Sequence, residues 1–312
     1  MSQDYIDILI KRFKKIKVGK PILVTGIHRS GTTWVGRMIS ESNSVQYIHE
    51  PFNIHYKGKE SPIEHWFEYY SLSTSAQTEQ EVLNYLQSMY RPSLKSIFKN
   101  LIKGDVNKLF TSDDPKGNLF GRPLLKDPIA IMSAPWLYNK VDCDVIVCIR
   151  HPAAFVASIK EKDWDFDFNQ LLEQEKLMKE KLYPFQEKIR EFSETPPGIV
   201  SQGILLWNII YSRVIEYRKE FKGKWIFIKH EDISRRPVEE FKLMFNKLDI
   251  PFGLEIKNEI IESTEASNLE PLKRNSRRNI FRWKSMLSSK DIEKIKKETF
   301  KVWSHYYAES DW

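Results

Sequence analysis

The stretch VTGIHRSGTTW, residues 24–34, decides how the rest of this 312-residue chain is read. It follows the compact apolar run PILV, and a helical pattern begins at about Gly31, with Trp34, Val35, Met38 and Ile39 recurring at helical spacing. A buried strand, a tight glycine turn and a helix start in succession bring backbone N–H groups and the positive end of a helix together. That is an anion cradle. Gly26 and Gly31 have the GxxxxG spacing of a nucleotide-phosphate loop, and Thr33 stands at its Ser/Thr position. Thr32, however, stands where an ATP-binding loop carries Lys, and the positive charge lies three residues earlier, at Arg29.

A second stretch, DVIVCIRHP (144–152), extends this reading. A magnesium-dependent phosphoryl transferase needs an acid at the end of a neighbouring apolar strand to hold the metal. Here the run ends in Arg150, and the acids Asp142 and Asp144 precede it. An arginine at that edge offers a rigid fork to a phosphate without a metal. No Cys/His cluster has metal-ligand spacing either, so no metal is expected.

Outward from these motifs, short apolar runs alternate with helical patterns. Val45–Ile48, PLLKDP (123–128), VIVCI and WIFIKHED (225–232) read as strands. Helices are expected over 3–17, Glu81–Met89, Leu94–Lys103, 168–192, Ile199–Phe221, from Pro237 and from about Ser288. Residues 111–118 are polar and turn-rich. This alternation predicts an α/β fold: a P-loop-like, three-layer α/β/α arrangement around a central, mainly parallel sheet. No linker or repeat divides the chain, so residues 1–312 are expected to form one domain, with insertions at 53–120 and 161–198.

The composition agrees. Hydrophobic residues make up 41% and charged residues 29%, which is globular rather than disordered. A net charge of +7 favours an anionic partner without naming it. No nucleic-acid signature appears, so none is expected as a partner. No run approaches a membrane span, and the basic residues of the first 20 follow the apolar stretch, unlike a signal peptide. Cys143 and Cys148 are oddly spaced on one extended run and should face opposite sides, unpaired. A reduced, cytoplasmic setting follows.

Arg29-Ser30-Gly31-Thr32-Thr33-Trp34, with Arg150 and then Ser158 eight residues on, resembles the two signatures of the sulfotransferases that use 3′-phosphoadenosine 5′-phosphosulfate (PAPS). The resemblance implies that PAPS is the co-substrate and adenosine 3′,5′-bisphosphate the product. It assigns Ser30 to Thr33 to the 5′-phosphate, Trp34 to the adenine, Arg150 and Ser158 to the 3′-phosphate, and Arg29 to the bridging oxygen of the breaking bond. The segment RSGTTWVGRMISESNSVQYIHEPF is also similar to carbohydrate sulfotransferases that place an acid before proline. On that likeness Glu50 is the candidate base, with a capping carboxylate as the alternative and His49, His55 or Asp127 as other bases. Lys126 would contact the sulfuryl group or form a plain salt bridge. In SRRNIFRWKSMLS (276–288) the Trp-Lys pair of the family is present and its glycines are not. Arg277 or Arg278 would close over the 3′-phosphate, or simply face solvent. Glu231-Asp232 resembles a Tyr-Glu-Asp stretch of the family and reads as structural. The acceptor implied is a hydroxyl, on a glycan or glycolipid. An ATP-dependent kinase and a non-enzymatic module for anionic polymers are the alternatives.

Overall fold

The computed structural model describes residues 19–55, 61–90, 121–265 and 280–312. The expected helices at 3–17 and Leu94–Lys103, the turn-rich stretch 111–118, and Arg277 and Arg278 lie outside the described residues.

Five strands form one sheet, all parallel: β1 (Ile22–Gly26), β2 (Val45–His49), β3 (Arg122–Lys126), β4 (Asp144–Ile149) and β5 (Ile226–Lys229). Their order is β2-β3-β1-β4-β5. All five β1 residues are buried, as a strand covered on both faces requires. Its register runs from Ile22 opposite Asp144 to Gly26 opposite Cys148. The chain winds outward on both sides of β1. Such a switch point opens a crevice beyond the carboxyl ends of the strands, where the Gly26–Thr33 loop, Glu50, Asp127 and Arg150 follow β1, β2, β3 and β4.

Two apolar clusters sandwich the sheet. One holds Val24, Leu124 and Cys148 beneath α1 (Thr32–Ser40). The other holds Leu23, Leu125, Cys143 and Val147. Period-two alternation along the strands sends odd-spaced residues to opposite faces. The two cysteines therefore sit in different clusters, buried and free, as expected.

Further helices cover both faces: α2 (Ala76–Tyr90), α3 (Ala134–Val141), α4 (Pro152–Glu161), α5 (Ile199–Glu220), α6 (Pro237–Lys247), α7 (Leu254–Glu265) and α8 (Ser289–Glu298). Pro152 and Pro237 occupy first turns, where a missing N–H costs nothing, and Ser288 caps α8 through Asp291 N. The 22-residue α5 runs unbroken along α4. Gly203 permits this approach, because a Cβ there would meet Ile159 at 2.7 Å.

One helix expectation needs correction. Residues 168–192 form not one helix but short pieces, Asn169–Leu172, Glu175–Glu180 and Gln186–Glu194. Pro184 interrupts the run, and Gln174 leaves helical geometry at φ −90°, ψ 76°. Its side chain instead accepts from Tyr69 N at 3.0 Å and donates to Gln170 O at 2.7 Å, tying this segment to residues 66–70. Among the described residues no helix is long and apolar enough to cross a membrane.

Candidate active site

The turn after β1 is built by its backbone. Gly26 has φ 156°, and a Cβ there would lie 2.5 Å from the carbonyl oxygen of Cys148. Gly31 has φ 97° and would meet His230 Nδ1 at 2.6 Å. Only glycine takes these conformations at such close quarters. No side chain caps α1, so its leading N–H groups have no partner within the helix. Ser30 Oγ and Arg150 Nε beside the turn are buried, and neither has a hydrogen-bond partner among the described residues. Buried polar atoms are rarely left so, and a phosphate group supplies the acceptors they lack. The donor set therefore suits a phosphorylated nucleotide.

Arg29 and Arg150 come together. Arg29 adopts φ 66°, its Nε donates to Ser158 Oγ at 2.9 Å, and Arg150 Nη1 donates to the Arg29 carbonyl. Three of the expected phosphate ligands, drawn from the loop, the end of β4 and α4, thus share one spot. Arg150 is seated firmly. Its backbone N–H donates to Tyr211 Oη at 3.1 Å, and its carbonyl accepts from Trp207 Nε1 at 2.9 Å. Glu231 accepts from His151 N at 3.0 Å and from Tyr307 Oη at 2.9 Å, which is the structural part expected of it. Thr32 and Thr33 begin α1 at the cavity. Trp34 lies on the far side of the helix start, edge-on to His230 and Phe241, its Nε1 donating to Ser263 Oγ at 3.1 Å.

The second centre lies at the ends of β2 and β3. Their register puts His49 beside Lys126, and Glu50 N–H donates to the Lys126 carbonyl at 2.9 Å. Lys126 Nζ pairs with Glu50 Oε1, and Asn53 Nδ2 donates to Glu50 Oε2 at 2.6 Å. Burial alone would raise the Glu50 carboxyl, but Lys126 and Asn53 hold it below the usual range, so it stands as a carboxylate. Burial lowers the Lys126 ammonium against the pull of Glu50. Lys126 thus aligns Glu50 through a salt bridge. His49 lies 4.0 Å from Glu50 and is held low by burial and by Lys126. His55 meets Trp66 edge-on. Asp127 turns away from the cavity: it is fully buried and accepts from Phe52 N at 2.6 Å and Ile129 N at 3.1 Å.

Arg29, Thr32 and Thr33 on one side and Glu50 and Asn53 on the other line a single cavity of about 710 Å³. Trp66, Trp164, Phe166 and Gln170 complete its walls, supplied by the two segments set apart as insertions. His28, immediately before Arg29, also faces it. These residues escape sequence reasoning. The alternation Trp164-Asp165-Phe166-Asp167 in a polar loop is a usable signal for a ligand wall, whereas nothing in the sequence marks His28 beyond its place before Arg29.

The sulfotransferase domain family matches residues 20–311. Curated protein sequences give no match. Among solved structures, a sulfotransferase domain from the curacin biosynthetic pathway is 12% identical, with 91% of this chain and 98% of that one covered and a TM-score of 0.45. Mouse sulfotransferase SULT7A1 complexed with PAP is 12% identical (98% and 90% covered, TM-score 0.42). Sulfotransferase STF1 from Mycobacterium tuberculosis H37Rv is 13% identical (95% and 80% covered, TM-score 0.44). With the family matched over nearly all of its length, the chain belongs to the PAPS-dependent sulfotransferases and is a transferase.

Proposed function

We propose that this transferase moves the sulfuryl group of PAPS directly onto a saccharide hydroxyl, carried by a glycan or a glycolipid. The observation that carries the reading is the single cavity lined by the phosphate loop, the Glu50 side chain and aromatic rings together. Indole faces such as Trp66 and Trp164 suit the C–H face of a sugar ring, and Asn53, Gln170 and Asp165 suit its hydroxyls. The segments 53–120 and 161–198 would then be acceptor-site insertions in one domain. The buried, free thiols support a cytoplasmic setting.

In this reading Arg150 and Ser158 hold the 3′-phosphate, the α1 N–H groups with Ser30, Gly31, Thr32 and Thr33 hold the 5′-phosphate, and Trp34 meets the adenine. The acceptor oxygen attacks sulfur as the bond to the phosphate oxygen breaks. Glu50, aligned by Lys126, takes the hydroxyl proton, and Arg29 meets the charge growing on the departing oxygen. Catalysis rests on positioning and on charges fixed in advance.

The test is incubation with sulfur-labelled PAPS and a panel of saccharides, glycolipids, phenols and amines. Label should enter the saccharide arms. Glu50→Gln should lower turnover about 10²- to 10⁴-fold while adenosine 3′,5′-bisphosphate still binds. Label entering phenols or amines alone would replace the acceptor class. Failure of the wild type to bind the bisphosphate would remove the reading altogether.

A further inference from the structure

His28 is a titratable side chain of the phosphate loop that the roles above leave unused. It precedes Arg29 and lines the same cavity as Thr32, Thr33 and Glu50. Its ring is clamped among aromatic side chains, with centroids 5.4 Å from Phe155, 6.0 Å from Trp66 and 6.3 Å from both Phe67 and Trp164. Nδ1 is buried, and it has no hydrogen-bond partner among the described residues. His28 is half-buried at the cavity, so with Nδ1 enclosed Nε2 is the ring nitrogen left to reach that space.

An enclosed N–H without an acceptor is rarer in proteins than an enclosed lone pair without a donor. The proton of the neutral ring therefore belongs on Nε2. Burial and the neighbouring Arg29 push the imidazole down to about 4, against a smaller opposing pull from Glu50, so the ring is uncharged at neutral pH. The loop thus presents an oriented, neutral N–H donor beside a guanidinium, with nothing in the protein to receive its hydrogen bond among the described residues. A neutral imidazole that donates rather than accepts is an established catalytic device.

We propose that His28 Nε2–H donates a hydrogen bond to an oxygen of the sulfuryl group and holds that group in line between the departing phosphate oxygen and the attacking oxygen. The proposal rests on the donor half of the reading above and not on the identity of the acceptor. It therefore extends to transfer to water. There the water oxygen bonds to sulfur, the bond from sulfur to the phosphate oxygen breaks with its electron pair on that oxygen, and both water protons are released to solvent. The products are sulfate and adenosine 3′,5′-bisphosphate.

The experiment measures PAPS breakdown with water as the only acceptor, alongside calorimetric binding of adenosine 3′,5′-bisphosphate, for the wild type and for His28→Gln, His28→Asn and His28→Phe. The Gln amide reaches the place of Nε2, the Asn amide reaches only that of Nδ1, and Phe keeps the ring without a donor. His28→Phe and His28→Asn should lose about tenfold to a hundredfold in kcat, the range for one hydrogen bond to a charged group. His28→Gln should keep most of it, and bisphosphate affinity should hold in all three. A His28→Phe enzyme as fast as the wild type overturns the proposal. So does a His28→Gln enzyme as slow as His28→Phe, or affinity that falls in step with rate. A wild type that neither binds the bisphosphate nor breaks down PAPS instead removes the donor reading and this proposal with it.

Discussion

Asp127 follows Lys126 at the end of β3, yet the two side chains answer to different neighbours. Lys126 reaches the cavity-facing Glu50, whereas Asp127 turns inward to the backbone N–H groups of Phe52 and Ile129. Burial pushes the Asp127 carboxyl up to about 7 despite those donors. In an unfolded chain the same group titrates near about 4. The folded form therefore binds the extra proton between these limits. The stability it contributes is whole below about pH 4 and is lost as pH rises through about 7. Asp127→Asn removes this dependence and leaves Phe52 N–H without its acceptor, at a cost of about 1–3 kcal/mol. In thermal melts, the gap between wild type and Asp127→Asn should narrow from about pH 5 to about pH 8. A constant gap would contradict the assignment. Residue chemistry of this kind is hard to read in advance. Glu50 and Lys126 are each legible as motif residues, but their pairing spans 76 positions and exists only because β2 lies beside β3. That adjacency is a property of the sheet.

The elements follow the sequence where local rules govern them. The apolar run 21–25 has no other use than a covered strand, and Pro237 announces a helix start that the structure keeps. The turn between β1 and α1 is legible for the same reason, since two glycines six positions wide specify a backbone rather than a packing. Gly26→Ala tests this directly. Its Cβ would press on a main-chain carbonyl in the neighbouring strand, which cannot rotate aside. Expected are a destabilisation of about 1–3 kcal/mol and a loss of nucleotide binding greater than tenfold, read by melts and by calorimetry. Segment 168–192 misleads because its charges favour helix at nearly every position. One break is local, at Pro184, but the other comes from a distant partner, with Gln174 serving the backbone of Tyr69 instead of its own helix.

At the scale of the molecule, the order β2-β3-β1-β4-β5 gathers ligands from the loop, β4 and α4 onto one face, so nucleotide binding and folding are linked. Adenosine 3′,5′-bisphosphate at a hundred times its Kd should stabilise the folded form by about 2.7 kcal/mol. In a chain of this size that is a rise in Tm of about 4 °C. Magnesium-ATP at equal concentration should give a clearly smaller rise if Arg150 holds the 3′-phosphate as proposed, because ATP has none. Equal shifts would argue that Arg150 selects nothing. The architecture was legible from alternation alone, but the aromatic lining of the cavity was not, since Trp66, Trp164 and Phe166 come from segments that share no local rule. The placement of the two thiols has a practical use as well. Burial pushes Cys143 up to about 12 and Cys148 higher still, so neither offers a thiolate to a reagent at neutral pH. A cysteine introduced at Tyr183, where the native side chain is 73% exposed, would be the only thiol within reach of a maleimide dye. The native chain thus comes ready for single-site fluorescence labelling, with no background substitutions required.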